Sequence, residues 1–148
     1  MENEKCITSS ELTTLREGVM ALSRRLKKEI QNNEWTMAQV LLLGAIERKR
    51  KDVTPSYLAE TEGMASSNVA ATLKILEKHQ LITRKKSNTD KRLSYIFLTQ
   101  AGQEVLNINR KKREYWLSEA ISHTLTIEEI RALILVSKSL SRIAEYKA

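Results

Sequence analysis

The chain contains 148 residues, of which 41% are hydrophobic and 29% are charged, and its net charge is +7 at pH 7. This length and composition fit one domain that buries roughly 68–70% of its unfolded surface, and we do not expect a disordered protein. No apolar run approaches the ~20 residues that cross a bilayer, and the N-terminal residues lack a signal-peptide pattern, so we expect a cytoplasmic protein. The positive charge favours an anionic partner.

Residues that form reactive sites are few and scattered. A single cysteine, Cys6, excludes an intramolecular disulfide and a site with several thiolate ligands within one chain. His79 and His123 are far apart in the sequence, so we expect no metal site. Ser-His-Asp spacing, a phosphate-binding glycine loop and paired carboxylates on one face are all missing from the sequence. We therefore expect no enzyme and no cofactor.

The first third of the chain predicts two helices. Thr8 and Glu11 have the spacing of a capping box, in which each side chain bonds the backbone N–H of the other residue. They precede an apolar stripe at alternating spacings of three and four: Leu12, Leu15, Val19, Leu22 and Leu26. A second capping box, Thr36 with Gln39, opens a helix that is apolar on nearly all sides and ends in the basic run 48–51. We expect this second helix to be buried.

Residues 54–79 predict two short helices joined by a turn. Thr54 followed by Pro55 starts the first of them, because proline loses no hydrogen bond at the first helical position. The next helix extends from about Ser66 to His79. The segment between contains the small residue, the turn-forming glycine and the apolar residue of a helix-turn-helix, at spacings of four and six: Ala59, Gly63 and Val69.

The outward face of the fourth helix is the candidate DNA-reading surface. The remaining inward positions of the motif are apolar: Leu58, Met64, Leu73 and Leu76. The outward positions carry small, hydroxyl, amide or cationic side chains: Ser66, Ser67, Asn68, Ala70, Ala71 and Lys74. Such side chains near a helix N-terminus can enter the major groove and bond base edges. The alternative is an ordinary amphipathic helix with a solvated face.

Residues 81–99 predict a β-hairpin with a basic tip. Alternation at every second position predicts two strands, and the turn-forming cluster 87–90 separates them. Four cations accompany a single acidic residue, Asp90, near the tip: Lys85, Lys86, Lys91 and Arg92. This tip is poorly suited to a core and well suited to contact a polyanion. For Arg92 the alternative is a solvated cation in a turn.

Two further helices follow the hairpin. Thr99 opens a long fifth helix to about Ser122, and a capping box of Thr126 with Glu129 opens a sixth. The first and sixth helices carry more Leu, Ile and Val than one small core needs, so we predict a two-fold homodimer through these helices. The alternative is that both helices only cover the core of their own chain.

Arg110–Arg113 forms a basic run within the fifth helix. It is either a solvated face or a phosphate contact at the flank of a dimer. We favour the solvated face.

With these motifs the chain resembles the MarR (multiple antibiotic resistance regulator) family of winged-helix repressors. The resemblance rests on LAETEGM, SSNVAATLKILEKHQLI, Arg84, Asp90-Lys91-Arg92 and Leu98-Thr99-Gln100-Ala101-Gly102, and it extends from about Leu12 to Ile143. It implies a mainly α fold with a small β-hairpin wing, in a single domain over residues 1–148. A winged helix-turn-helix lobe at about 36–99 would bind DNA, and the helices at about 8–31 and 100–148 would form a dimer.

The resemblance also implies how the protein binds DNA. It predicts a homodimer whose two fourth helices enter successive major grooves of double-stranded DNA. Arg92 would reach into the minor groove, where narrowing increases the negative potential, and a bond from the Asp90 carboxylate to its guanidinium would orient it. Arg84 would contact a phosphate at the wing base. The candidate DNA-binding residues are Ser66, Ser67, Asn68, Ala70, Ala71, Lys74, Arg84, Lys86, Asp90 and Arg92.

Three residues depart from the family pattern. Glu62 replaces an apolar residue in the turn, Gln80 replaces a common glycine after the fourth helix, and Ala71 stands where many members carry arginine. The last departure predicts weaker direct base readout by the fourth helix and a larger share of the affinity from the wing.

The expected function is a sequence-specific transcriptional regulator, a homodimeric repressor relieved by a small effector. The resemblance implies an aromatic or phenolic acid, for which Met20, Trp35, Met37 and Trp116 are candidate pocket residues, although Met and Trp are more often core. Some members sense oxidants through a cysteine near the first helix, but only Lys5 is near to activate Cys6, so we favour an unreactive residue. Two alternatives are a winged-helix module for an acidic protein partner and a non-specific architectural DNA binder.

Overall fold

The computed structural model describes residues 7–31 and 34–147, without the side chain of Gln31, so Cys6 lies outside the described residues. Within them the elements are α1 (Ser9–Gln31), α2 (Met37–Lys49), α3 (Pro55–Glu62), α4 (Ser66–Lys78), β1 (Ile82–Lys86), β2 (Ser94–Leu98), α5 (Gln100–Thr124) and α6 (Ile127–Ala144). The predicted mainly α fold with one β-hairpin is confirmed. The chain divides into two compact units, Met1–Arg113 and Glu114–Ala148.

The core of the first unit surrounds α2, whose predicted burial is confirmed. Leu42 and Leu43 in the middle of this helix are fully buried. The surrounding elements each contribute side chains that are at most 2% exposed: Ile30, Leu58, Val69, Leu73, Leu76, Ile82, Ile96 and Leu106. Each square ångström of apolar surface removed from water contributes about 25 cal/mol, so this cluster holds the helices and hairpin together.

Several helix starts follow the capping residues of the sequence. At α2 the Thr36 backbone N–H donates to Gln39 Oε1 at 2.7 Å, and the Gln39 N–H donates to Thr36 Oγ1 at 3.3 Å. The same reciprocal exchange opens α1 and α6. The Thr54 hydroxyl caps α3, with Pro55 in its first turn. These local signals are the reason that the predicted starts are confirmed.

The hairpin is antiparallel, and Ile82 lies opposite Leu98 at its base. Ile82 and Ile96 are each 1% exposed, so one face of the hairpin packs on the core. Arg84 stands on that same face, because side chains alternate along a strand. The Ile96 N–H donates to the Val53 carbonyl oxygen at 2.9 Å, which joins β2 to the segment before α3.

Thr99 joins the hairpin to α4 and α5. Its hydroxyl donates to the Gln80 carbonyl oxygen at 2.7 Å and accepts from the Gly102 N–H at 3.0 Å, while its own N–H donates to the Leu81 carbonyl oxygen at 3.1 Å. A Cβ on Gly102 would lie 2.2 Å from that Leu81 oxygen, so only glycine fits there. Gln80 has a φ of 58°, a left-handed conformation that glycine adopts without a steric penalty and other residues adopt rarely.

The last helix, α6, contains no buried residue. Five of its large apolar side chains are 45–81% exposed: Ile127, Ile134, Leu135, Val136 and Ile143. The stripe of α1 is also open, with Leu12, Leu15 and Val19 44–51% exposed. In the part of the chain that the structure describes, no helix is long and apolar enough to span a bilayer.

Candidate nucleic-acid interface

The turn between α3 and α4 has the conformation that its glycine predicts. Gly63 has φ 62° and ψ 35°, and its N–H donates to the carbonyl oxygens of Ala59 and Glu60, which ends α3. Glu62 bonds Arg48 of α2 at 2.6 Å, and its side chain is 11% exposed. This ion pair therefore stands in place of the apolar side chain that the resemblance predicts at the turn.

The two faces of α4 are those that the sequence predicts. Val69, Leu73 and Leu76 are fully buried against the core. The outward candidates are all exposed: Ser66, Ser67, Asn68, Ala70, Ala71 and Lys74. Ala65 at the N-cap has no side-chain acceptor, so the N–H groups of Ser66 and Ser67 lack a side-chain cap, while the Asn68 N–H donates to the Ala65 carbonyl oxygen at 3.0 Å. A helix start of this kind suits a phosphate contact.

The wing tip is an ordered turn built on Ser87 and Asp90. The nearly buried Ser87 hydroxyl accepts from the N–H groups of Thr89 and Asp90, each at 3.2 Å. The Asp90 carboxylate accepts from the backbone N–H of Arg92 at 2.9 Å. The expected bond from Asp90 to the Arg92 guanidinium is therefore wrong, because a short Asp side chain bonds the backbone two residues on. Asp90 fixes the turn that carries Arg92, whose side chain is exposed.

The cations of the wing are held in different ways. The Lys85 ammonium lies 5.4 Å from the centre of the Phe97 ring, a cation–π contact. The Arg84 Nε lies 3.1 Å from Glu77 Oε2 in the last turn of α4. Lys86 and Arg92 are exposed near the tip. The hairpin thus presents exposed cations at its tip and restrained ones nearer its base.

The basic run in α5 has a structural role at its first residue. The Arg110 guanidinium bonds both carboxylate oxygens of Glu47 in α2, and Gln103 donates to the same carboxylate at 2.6 Å. The bond from Arg110, followed by that from Gln103, lowers the pKa of Glu47 from 4.5 to about 2. The solvated-face prediction is wrong for Arg110, since its guanidinium clamps α5 to α2. Lys111 and Lys112 are exposed.

Sequence reasoning missed Glu77 and Glu47 as partners of these arginines. Glu77 is the only acidic residue of α4, which was the one available signal. Glu47 lies 63 positions from Arg110 along the chain, so no local pattern connects them.

One cavity adjoins the residues considered for an effector pocket. It has a volume of about 190 Å³, and Trp35 is among its lining residues with Val105, Ile108, Asn109 and Lys112. Met37 packs against the core, Met20 is 50% exposed, and Trp116 belongs to the second compact unit. Among the described residues no group of three or more His, Cys, Asp or Glu could hold a metal ion.

The helix-turn-helix followed by an antiparallel hairpin on one core defines a winged helix-turn-helix protein. The MarR family profile matches residues 35–94, which span α2, the helix-turn-helix and the hairpin as far as the start of β2. An uncharacterized HTH-type transcriptional regulator of Bacillus subtilis (strain 168), YpoP, is 33% identical over 100 residues, 67% of each chain. The chain belongs to the MarR family of transcriptional regulators.

Solved structures agree with this assignment. A putative transcriptional regulator of Pseudomonas aeruginosa PA01 is 37% identical, with a TM-score of 0.82 over 96% of this chain and 100% of that one. Wild-type apo MarR of E. coli has a TM-score of 0.73 at 20% identity, over 93% of this chain and 98% of that one. A point mutant of S. aureus MepR, bound to an oligodeoxyribonucleotide, has a TM-score of 0.63 at 21% identity, over 93% and 99%. The last two establish the likeness of fold.

Proposed function

We propose that the protein is a homodimeric repressor that binds a pseudo-palindromic site in double-stranded DNA. In each protomer α4 enters a major groove, with Ser66, Ser67 and Asn68 near the base edges and Lys74 near the backbone. The wing lies over the neighbouring minor groove, where Arg92 enters. The small side chains of Ala70 and Ala71 allow close approach and give little base discrimination.

One observation carries this proposal: the exposed face of α4 and the cationic wing are fixed to each other. The Leu81 N–H donates to the Leu76 carbonyl oxygen at 2.9 Å, and the Thr99 hydroxyl donates to the Gln80 carbonyl oxygen at 2.7 Å. These bonds join the end of α4 directly to the hairpin base. A reading helix and a cationic hairpin held in fixed relation can contact adjacent grooves together, and preorganisation lowers the entropy lost on binding.

The proposed dimer rests on apolar surface that a single chain leaves open. The exposed Ile, Leu and Val side chains of α6 and the stripe of α1 would each remain in contact with water in a monomer. Burial against the same helices of a second copy removes this apolar surface from water, which stabilises the dimer by about 25 cal/mol for each square ångström. A two-fold arrangement also matches the symmetry of a pseudo-palindromic site.

Relief of repression by a small effector is the further part of the proposal. A bound ligand would act by changing the distance between the two α4 helices of the dimer. The cavity beside Trp35 is smaller than the roughly 300–1,000 Å³ of most ligand pockets, so an effector held there would be a small ring compound or would enlarge it.

Selection of bound duplexes from a random pool tests the proposal. We expect enrichment of a two-part site, and retention of the selected duplex against a large excess of random competitor. An architectural binder would retain no sequence above another. A module for an acidic protein partner would bind duplex weakly and release it to any polyanion. Either result contradicts a site-specific regulator.

A further inference from the structure

We propose that Glu77 is a positioning residue that holds Arg84 as a two-pronged phosphate contact beside α4. The inference rests on the proposed DNA-binding function and extends it. Glu77 Oε2 contacts Arg84 at Nε, 3.1 Å away. The two terminal amino groups of that guanidinium make no hydrogen bond within the part of the chain that the structure describes. A phosphate can accept hydrogen bonds from both of them while Glu77 keeps its ion pair at Nε.

The strand geometry explains why Arg84 needs a partner. Arg84 lies opposite Ile96 and on the face of the hairpin that packs against the core. Its aliphatic stem follows that face outward, so only 31% of its side chain is exposed. Glu77, in the last turn of α4, forms an ion pair with the guanidinium where the stem reaches solvent. The guanidinium therefore has one preferred direction before any DNA arrives.

Space beside the pair is sufficient for a phosphate group. An open groove of about 620 Å³ separates the end of α4 and the start of β1 from the start of α5, and Glu77 and Arg84 both line it. The other lining residues include Gln80, Thr83 and Gln100, none of which is acidic. Glu77 is thus the one carboxylate along this groove among the residues that the structure describes.

Two opposing effects decide what Glu77 does to DNA affinity. Fixing a long side chain in advance avoids an ordering loss that corresponds to roughly 2- to 12-fold in affinity. Water and salt screen the repulsion between the carboxylate and a phosphate on the far side of the guanidinium. This repulsion therefore lowers the DNA affinity by less than about twofold. Positioning is the larger effect, so removal of this negative charge should weaken binding rather than strengthen it.

The test measures affinity and salt dependence on one selected duplex for wild type, Glu77→Gln, Arg84→Gln, Arg84→Lys and the double variant Glu77→Gln/Arg84→Gln. We expect Glu77→Gln to weaken binding by about 2- to 12-fold. Arg84→Gln should also reduce the slope of log affinity against log salt by about 0.9 for each protomer. Once Arg84 is absent, loss of Glu77 should cause no further weakening. The matched control is Glu60→Gln, which removes the same charge from an exposed position of α3 and should change affinity by less than about twofold.

Several outcomes would overturn the inference. Tighter binding by Glu77→Gln would mean that Glu77 masks Arg84, and an unchanged salt slope for Arg84→Gln would mean that Arg84 touches no phosphate. Arg84→Lys keeps the charge but loses the two terminal amino groups of the guanidinium. Wild-type affinity in that variant would therefore contradict the proposal, and this test remains available if Glu77→Gln fails to fold. A wild type without selective duplex binding would refute the proposed function itself, which is a different result from all of these.

Discussion

At Gly102 the backbone at the start of α5 passes so close to the Leu81 carbonyl that no side chain fits. Gly102→Ala should therefore lower the free energy of unfolding by about 2 kcal/mol or more, the usual range for overpacking a tight site. Urea unfolding at a fixed protein concentration measures the change. The matched control is Ala101→Gly, which alters the same turn without adding atoms and should cost about 1 kcal/mol at most. Equal effects of the two changes would mean that the close approach is not real.

Loss of the Arg92 side chain should lower the DNA affinity without changing the stability of the fold. Its side chain is exposed, and its place in the wing is set through its backbone N–H by Asp90. Arg92→Ala should weaken binding to a selected duplex by at least about 1 kcal/mol, the lower end for a good groove contact. Titration of wild type and variant on one duplex at equal salt checks this. Affinities that agree within error would remove the wing from the interface.

Local chemistry decided which residues could be predicted. Gly63 and the capping threonines act through neighbours three or four positions away, so their roles were visible in the sequence. The partner of Asp90 is not visible in the sequence, because one carboxylate can accept a bond from a guanidinium or from a backbone N–H, and the sequence does not distinguish the two. The left-handed Gln80 is a similar case, since most residues avoid the conformation that the fold imposes there.

One carboxylate, that of Glu47, makes the polar link between α2 and α5. Glu47 has a folded pKa of about 2 against an ordinary value of 4.5, owing first to the Arg110 bond and then to that from Gln103. Because the folded pKa is the lower one, this stabilisation is complete above about pH 4.5 and is lost as the pH falls through about 2. Solvent reaches both partners, so we expect about 1 kcal/mol at neutral pH.

Glu47→Gln tests this pH dependence. The variant should be less stable than wild type by about 1 kcal/mol at pH 7, and the gap should narrow as the pH is lowered from about 4.5 towards 3. Chemical unfolding of both proteins at each pH supplies the comparison. A gap of constant size over this interval would show that ionisation of Glu47 does not contribute.

Elements were more predictable than the contacts between them. Helices α1, α2, α3 and α6 each have their own capping residues. The sequence of α2 is apolar on nearly every side, and this pattern predicts its burial. Contacts such as Arg110 with Glu47 join residues 63 positions apart and depend on how the helices pack. The sequence alone therefore favours a solvated face for the basic run of α5, although Arg110 is a structural residue.

The charge of the whole molecule should govern how its affinity responds to salt. A net charge of +7 with exposed cations on the wing favours an interface dominated by phosphate contacts. If a dimer neutralises about 6–10 phosphates, affinity should fall by ~10³–10⁵-fold between 50 and 200 mM salt. Fluorescence anisotropy on a labelled duplex across that range measures the slope. A flat response is incompatible with such an interface.

The proposed function requires two copies of the chain, because each one leaves the apolar surfaces of α1 and α6 exposed and each carries one wing. Analytical ultracentrifugation of the purified protein, alone and with a selected duplex, tests this requirement most directly. We predict a dimer in the absence of DNA and saturation at two chains for each duplex. A stable monomer that saturates at one chain for each duplex would contradict it.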